Sequence, residues 1–519
     1  MKVSTISEMR ALDRKAIEQY GITAELLMEN AGQAVYYVIL KEFGVVGRRF
    51  VVLCGLGNNG GDGLVVARKL HSSGGLVSVL ILGNPDKFRG AAETNFGIVS
   101  RLPIEVRRPQ SIQAVADELA GCDAVVDAML GTGITGDVRG LYRDVIEALN
   151  QSGKTVFSVD IPSGVDGDTG RVRGAAVRAD YTVTFGLPKI GNVLTPGYDL
   201  CGKLYVSHIS FPPAMIGASS LQIATNEPVM PASRPEKGND RASGGVLFIL
   251  GATQPTVVES AALSFLTTAG RIQLAVPRSM TQSVAIEGAR VAITPLTETS
   301  AGSIALENKD LLLDMAADAD VVGLGLGLTL DPETRRLIHE LVGEIRTPLV
   351  IGGVGVRMIS ADPRILQQRK AESAVICDTA ELASIAGITA SEVHADPVSA
   401  LQRACDRLKA TIVWMRAQLL VGLPDGRVFI NTRGGGRRAA GNGLEVLLGM
   451  IAGMSTSALT LVDAARNAVF VHGACVALAA SERAEDRITP QVLLDRLPRV
   501  VEMIREKMPE DQAAGLYLV

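Results

Sequence analysis

The chain has 519 residues, of which 47% are hydrophobic, 20% charged and only 4% aromatic, a composition that fills more than one core, mainly with Ala, Val, Leu and Ile. With 51 basic against 55 acidic residues, a formal net charge of −4 and no basic block, there is no electrostatic footprint for nucleic acid or a membrane surface, and a small polar ligand is the expected partner. Six scattered cysteines without a CxxC pair exclude a zinc site or a disulfide framework, and the N-terminus MKVSTISEMRALDRKA has no apolar core of a signal peptide, so a cytoplasmic location is expected.

In chain order, Ile6, Met9, Leu12, Ala16 and Ile17 mark one amphipathic helix, and Leu26, Leu27, Val35, Val38 and Ile39 mark a second. Strands are expected at Phe50–Leu53, Val77–Leu82, Ala124–Met129, Thr155–Val159 and Tyr181–Phe185, with helices around Gly63–Ser72, Ala91–Ser100, Ser111–Leu119 and Leu141–Asn150. Such alternation predicts a Rossmann-like α/β domain of three αβα layers, with ligands at the carboxyl ends of parallel strands. Phe211 to Glu236 carries Pro212, Pro213, Pro228, Pro231 and Pro235, and reads as an interdomain linker. The expected division is therefore 1–212, a Pro-rich linker at 213–236, and 237–519. Strands of the second region are expected at Val246–Leu250, Ile272–Val276, Val321–Leu324, Leu349–Ile351, Ala374–Cys377 and Ile412–Met415. The uncharged run Val446–Val462 is diluted by Gly449, Gly453, Ser455, Thr456, Ser457 and Thr460, which favours a buried core helix over a membrane span.

Phe50 to Leu70, FVVLCGLGNNGGDGLVVARKL, runs a strand through a glycine-rich turn into a helix. Gly55-x-Gly57-x-x-Gly60 resembles a dinucleotide fingerprint, but the next strand ends in Gly83-Asn84-Pro85 with no ribose-binding carboxylate. The turn itself carries Asn58, Asn59 and Asp62, side chains suited to a cation and a polar ligand; as a bland alternative, the same residues serve as turn caps. Four further segments are informative together: Met28-Glu29-Asn30-Ala31-Gly32, Val125 to Gly136 (VVDAMLGTGITG), Ser158 to Gly164 (SVDIPSG) and Tyr181 to Gly191 (YTVTFGLPKIG). In this order and spacing, residues 1 to about 212 resemble the NAD(P)H-hydrate epimerase family.

The resemblance implies a substrate, NADH or NADPH carrying water on the nicotinamide ring, whose hydroxylated carbon beside the ring nitrogen inverts with proton transfer. Asp160, closing an apolar strand, is the candidate acid/base, with turn capping as its plainer alternative. The substrate is expected against Asn58, Asn59, Gly60, Gly61, Asp62, Gly131, Thr132, Gly133, Ile134, Thr135, Gly136, Asp137 and Asp160. Lys189 is expected either near the cofactor phosphates or as a solvated surface lysine. Potassium is the family's ion, and Asn59, Asp127 and Ser163 form an oxygen-only set of low charge suited to it.

The second region resembles the ribokinase-like αβα dehydratase domain that accompanies the epimerase in a bifunctional repair protein. Here it departs from that family. A GSGD-type turn has become Gly441-Asn442-Gly443-Leu444-Glu445, leaving Glu445 as a doubtful base one methylene longer. DADALN has become Gly352-Gly353-Val354-Gly355-Val356-Arg357, TPHPGE has become Ile376-Cys377-Asp378-Thr379-Ala380-Glu381, and a lysine has become Met415. The Lys237-Gly238 entry, the Gly323–Gly327 loop and Glu381 persist. The expected function is thus epimerisation of hydrated NADH or NADPH, with an inert second domain and a homo-oligomeric assembly. Two alternatives stand: a full bifunctional enzyme that also dehydrates the S form using ADP or ATP with Mg2+, and a non-catalytic nucleotide-binding protein.

Overall fold

The computed structural model describes residues 1–228, 245–251, 271–281, 291–434, 443–456, 459–482, 488–506 and 516–519. The chain divides into two compact units, one of residues 2–222 with 509–519, the other of residue 1 with 223–508.

In the first unit, parallel pairing gives the strand order Lys203–Ser207, Tyr181–Phe185, Thr155–Val159, Ala124–Ala128, Arg49–Cys54, Leu76–Ile81, Glu105–Arg107. Period-two patterning explains why both faces are covered. Phe50, Val52 and Cys54 join a cluster with Val35, Val38, Leu64 and Val65 of two helices, whereas Val51 and Leu53 point the other way, to Val115, Leu119, Val145 and Leu149 of two others. Each such apolar side chain contributes about 1.5–3 kcal/mol on full burial, which binds helices to sheet. The chain proceeds outward in one direction from Arg49–Cys54 and then in the other from Ala124–Ala128, so the strand order reverses between these two neighbours. Ligands favour such a crevice.

The second unit repeats the plan. Parallel pairing runs Val291–Leu296, Arg271–Pro277, Gly245–Ile249, Val321–Leu324, Leu349–Ile351, Ser373–Cys377, Thr411–Trp414, and Leu420–Gly422 then pairs antiparallel on the last. Its reversal lies between Gly245–Ile249 and Val321–Leu324. The uncharged run forms the buried helix Leu444–Ser455. Among the described residues, one helix, Leu461–Glu482, is long and apolar enough to cross a membrane, and 67% of its apolar stretch is buried inside the protein.

Several expectations need correction. Pro213–Ile216 is helical rather than linker, with Met215 and Leu221 packed in the first core. Leu516–Leu518 pairs antiparallel with Lys203–Ser207, so the chain's last strand belongs to the first unit, not to 237–519. The helix expected from Gly63 begins at Asn58, because Gly57 adopts an extended N-cap conformation and Gly61 already donates to the Gly57 carbonyl at 3.1 Å. Lys237, Gly238, Gly441 and Asn442 lie outside the described residues.

Candidate functional site

The reversal point of the first sheet opens into a cavity of about 710 Å³. Its walls come from the helix start after Arg49–Cys54, the loop after Ala124–Ala128, the end of Thr155–Val159 and the N-terminal helices. Gly55 permits the first two to meet: a β-carbon there would lie 1.8 Å from the Met129 carbonyl oxygen. Gly57, Asn58, Asn59, Asp62, Gly131, Thr132, Gly133 and Ile134 line the cavity with Asp160 and Lys189. Gly60 and Gly61 do not. They are packing positions, where added β-carbons would lie 1.9 Å from the Gly55 carbonyl oxygen and 2.7 Å from the Met28 methyl. Thr135, Gly136 and Asp137 are exposed and outside the lining, since the loop turns away to solvent through Gly136 at φ 90°.

Asp160 has a left-handed backbone, φ 68°, a conformation that asparagine and aspartate tolerate best among non-glycine residues. Its amide donates to the Val183 carbonyl at 2.8 Å, and the Asn192 amide donates to its carbonyl at 3.1 Å, which fixes that turn. Its Oδ1 accepts from the Thr184 hydroxyl at 3.1 Å, the Phe185 amide at 3.4 Å and the Lys189 ammonium. Lys189 is only 1% exposed and also donates to Thr184 Oγ1 at 2.6 Å. Lys189 is not the solvated surface lysine of the plainer expectation: it is buried, with the Asp160 carboxylate as its counter-charge, because burial demands one.

Two more carboxyls share this cavity. Asp62, in the second turn of helix Asn58–Ser72, is held well above the usual carboxylate range by burial and then by Asp160 and Asp13, against the lowering influence of Lys189. Asp13, which sequence reading missed, is pushed up to about 6 by burial, lowered somewhat by Lys189 and raised by Asp160. The missed signal was its place four residues after Met9 and four before Ile17, on the stripe facing the cavity.

Asp127 lies behind this wall, fully buried. It accepts from Ser158 Oγ at 2.8 Å, Ser163 N at 2.9 Å, Ser163 Oγ at 2.5 Å and Met129 N at 3.3 Å. Burial nevertheless raises its carboxyl above the ordinary range, with those hydrogen bonds opposing. Ser163 Oγ also accepts from the Leu130 amide at 2.9 Å. Asn59 packs near Gly131, and both its amide atoms are buried without a partner among the described residues. The orphaned Asn59 amide oxygen at a helix start, with the Asp127 carboxylate and the Ser163 hydroxyl from two neighbouring strand ends, makes an oxygen set compatible with a hard monovalent cation.

In the second unit, the loops after three parallel strands converge closely. A β-carbon on Gly325 would lie 2.0 Å from the Gly352 carbonyl oxygen, and one on Gly251 would lie 1.9 Å from that of Gly327. Leu444 packs over Gly352 and Gly353, with its methyls 3.5–3.7 Å from their ideal β-carbon positions. Met415 packs against the core, and its amide donates to the Cys377 carbonyl at 2.8 Å. Glu381 reciprocally caps its own helix with Asp378 and lies 3.4 Å from Arg357. Glu445 stands in the first turn of Leu444–Ser455, partly exposed. His472 was also missed: it is 2% exposed, lowered to about 4 by burial, and beside Gly443 at that helix start, where a β-carbon would lie 2.3 Å from its Nε2.

Comparison with known proteins matches both halves. Residues 24–191 match the family described as YjeF-related protein N-terminus, and residues 249–499 match the NAD(P)H-hydrate dehydratase family. A bifunctional NAD(P)H-hydrate repair enzyme of Thermofilum pendens is 40% identical over 98% of this chain and 97% of its own, and that of Moorella thermoacetica is 34% identical over 99% of each. Among solved structures, an ADP/ATP-dependent NAD(P)H-hydrate dehydratase from Bacillus subtilis, co-crystallised with ATP and Mg2+, is 20% identical with a TM-score of 0.45, covering 53% of this chain and 94% of that one. Relatives named bifunctional match from end to end, so the expectation of an inert second half finds no support in them, and the bifunctional alternative accords better with the family. On this full-length similarity, the chain belongs to the family of bifunctional NAD(P)H-hydrate repair enzymes.

Proposed function

We propose that the first unit interconverts the two epimers of hydrated NADH or NADPH, and that the second dehydrates the S epimer using ADP or ATP. The observation that carries the first half is Asp160, lifted into the cavity by its left-handed turn and held by Thr184 and the buried Lys189. An ionised carboxylate so held accepts a proton from the substrate hydroxyl or from water, and Lys189 steadies the charge when it returns. Gly57, Asn58 and the Gly131–Ile134 loop offer backbone and amide groups to the polar parts of the ligand, while Met9, Ile17, Leu27 and Ile209 exclude water from the ring. Asn59, Asp127 and Ser163 would hold potassium, whose bound charge supplies a fixed positive point for orienting anionic or hydroxyl groups.

The second half rests on family membership, with Gly443 and the following helix start offering N–H groups to phosphate and Glu445 as the base. Nucleotide there would arrive with Mg2+. The decisive assay follows both epimers of hydrated NADPH chromatographically, with and without ADP or ATP. Expected are epimer exchange without nucleotide, lost in Asp160→Asn with ligand binding retained, and nucleotide-dependent return of NADPH absorbance, lost in Glu445→Gln. Exchange without any return of NADPH would sink the second half and leave an epimerase alone, the reading that Met415 and the Leu444 packing favour.

A further inference from the structure

We propose that Asp13 is a second proton-transferring group of the epimerase site, serving it from the helix side of the cavity while Asp160 serves it from the strand side. The inference rests on the epimerase reading above. Inversion at the ring carbon beside the nitrogen by loss of the hydroxyl takes oxygen from one ring face and returns it on the other, and a single carboxylate fixed at one strand end attends only one face.

The geometry places Asp13 for this task. Helix Ile6–Tyr20 turns Leu12 and Ala16 into the core and presents Met9, Arg10, Asp13 and Ile17 to the cavity. The helix is tied to the backbone around Lys189: Ser4 N donates to the Pro188 carbonyl at 2.9 Å, and Ile190 N donates to the Ser4 carbonyl at 3.1 Å. Ile6 N donates to Asp168 Oδ1 at 2.7 Å, and Met9 packs on Gly186, next to the Thr184–Phe185 segment that holds Asp160. Asp13 therefore sits on a rigid element in register with the Asp160–Lys189 pair.

The charged groups facing Asp13 are Asp160, Asp62 and Lys189, with Arg10 and Arg89 also on the cavity wall. Burial above all, opposed by Lys189 and aided by Asp160, brings its carboxyl to about 6, where it both gives and regains a proton near neutrality.

The step balances as follows. Protonated Asp13 gives its proton to the substrate hydroxyl; the carbon–oxygen bond breaks, its electron pair leaves with water, and the nitrogen lone pair forms the carbon–nitrogen double bond. Water adds to the opposite ring face, the π pair returns to nitrogen, and the added water's surplus proton passes to the Asp160 carboxylate. The reverse reaction runs from Asp160 to Asp13, and solvent exchange resets the pair.

The test uses the full-length chain, a mixture of hydrated NADPH epimers and no nucleotide. Wild-type exchange should fall as pH rises through about 6. Asp13→Asn should lose at least ~100-fold in exchange and lose that limb of the profile, while the Kd for hydrated NADPH stays within about threefold. Asp13→Glu should recover part of the rate with the limb displaced. Absence of exchange in the wild type would remove the epimerase reading and this proposal with it. Wild-type rate and profile in Asp13→Asn would overturn Asp13 alone. If Asp13→Asn fails to fold, an unmoved limb in Asp13→Glu overturns the proposal and a moved one supports it.

Discussion

At the scale of single residues, the cavity concentrates three carboxyls against one buried ammonium, and each proton carries a stability consequence. Asp13 is raised from 3.8 to about 6, so the folded state binds its proton more tightly than the unfolded chain. The stabilisation from that proton is fully present below about pH 4 and is lost as pH rises through 6. Asp13→Asn, which cannot ionise, should therefore raise the melting temperature relative to wild type at pH 8 and leave it nearly unchanged at pH 4, as measured by calorimetry. No difference between the two pH values would show that Asp13 is not desolvated. Lys189→Met makes the opposite case, because it strands the Asp160 carboxylate, whose side chain is only 17% exposed. Removing one member of a buried pair costs on the order of 3 kcal/mol, read as a lower denaturant midpoint for the first unit.

Among elements, the long helices and central strands were legible because their periodicity is strong and their burial complete. Among the strands missed, Glu105–Arg107 is largely exposed, Leu420–Gly422 and Val428–Ile430 have three residues each, and Val291–Leu296 shows no clean alternation of burial, but the five-residue, mostly buried Lys203–Ser207 was missed too. The Met28–Gly32 segment acquires a physical reason only from helix packing. A β-carbon on Gly32 would lie 2.5 Å from Val65 Cβ and 3.2 Å from the Asp62 carbonyl oxygen, so helix Ala24–Glu42 crosses helix Asn58–Ser72 at a point only glycine allows. Gly32→Ala should destabilise by about 1–3 kcal/mol through overpacking, despite the better helix propensity of alanine. The displacement reaches Asn58–Asp62, so epimer exchange should fall as well; unchanged stability and exchange would show that the two helices part freely.

Over the whole molecule, two sheets with separate cores carry the two halves, and the chain crosses between units near both its ends. Leu516–Leu518 caps the edge of Lys203–Ser207, so deleting residues 516–519 removes strand hydrogen bonds worth about 0.5–1.5 kcal/mol each and opens that edge. The first unit should melt earlier while nucleotide-dependent stabilisation of the second persists; an unaltered first transition would argue that the edge strand adds nothing. The sequence by itself determined the α/β class, the glycine-rich loops at the strand ends and Asp160 as the strand-end carboxylate, because periodicity and turn chemistry are local. Only tertiary structure decided which residues of those loops face the cavity: it withdrew Gly60 and Gly61 into packing, buried Lys189 against Asp160, and brought in Asp13 from a helix 147 positions away from Asp160. Charge neighbours and solvent exclusion arise from elements distant in the chain, and no local pattern encodes them.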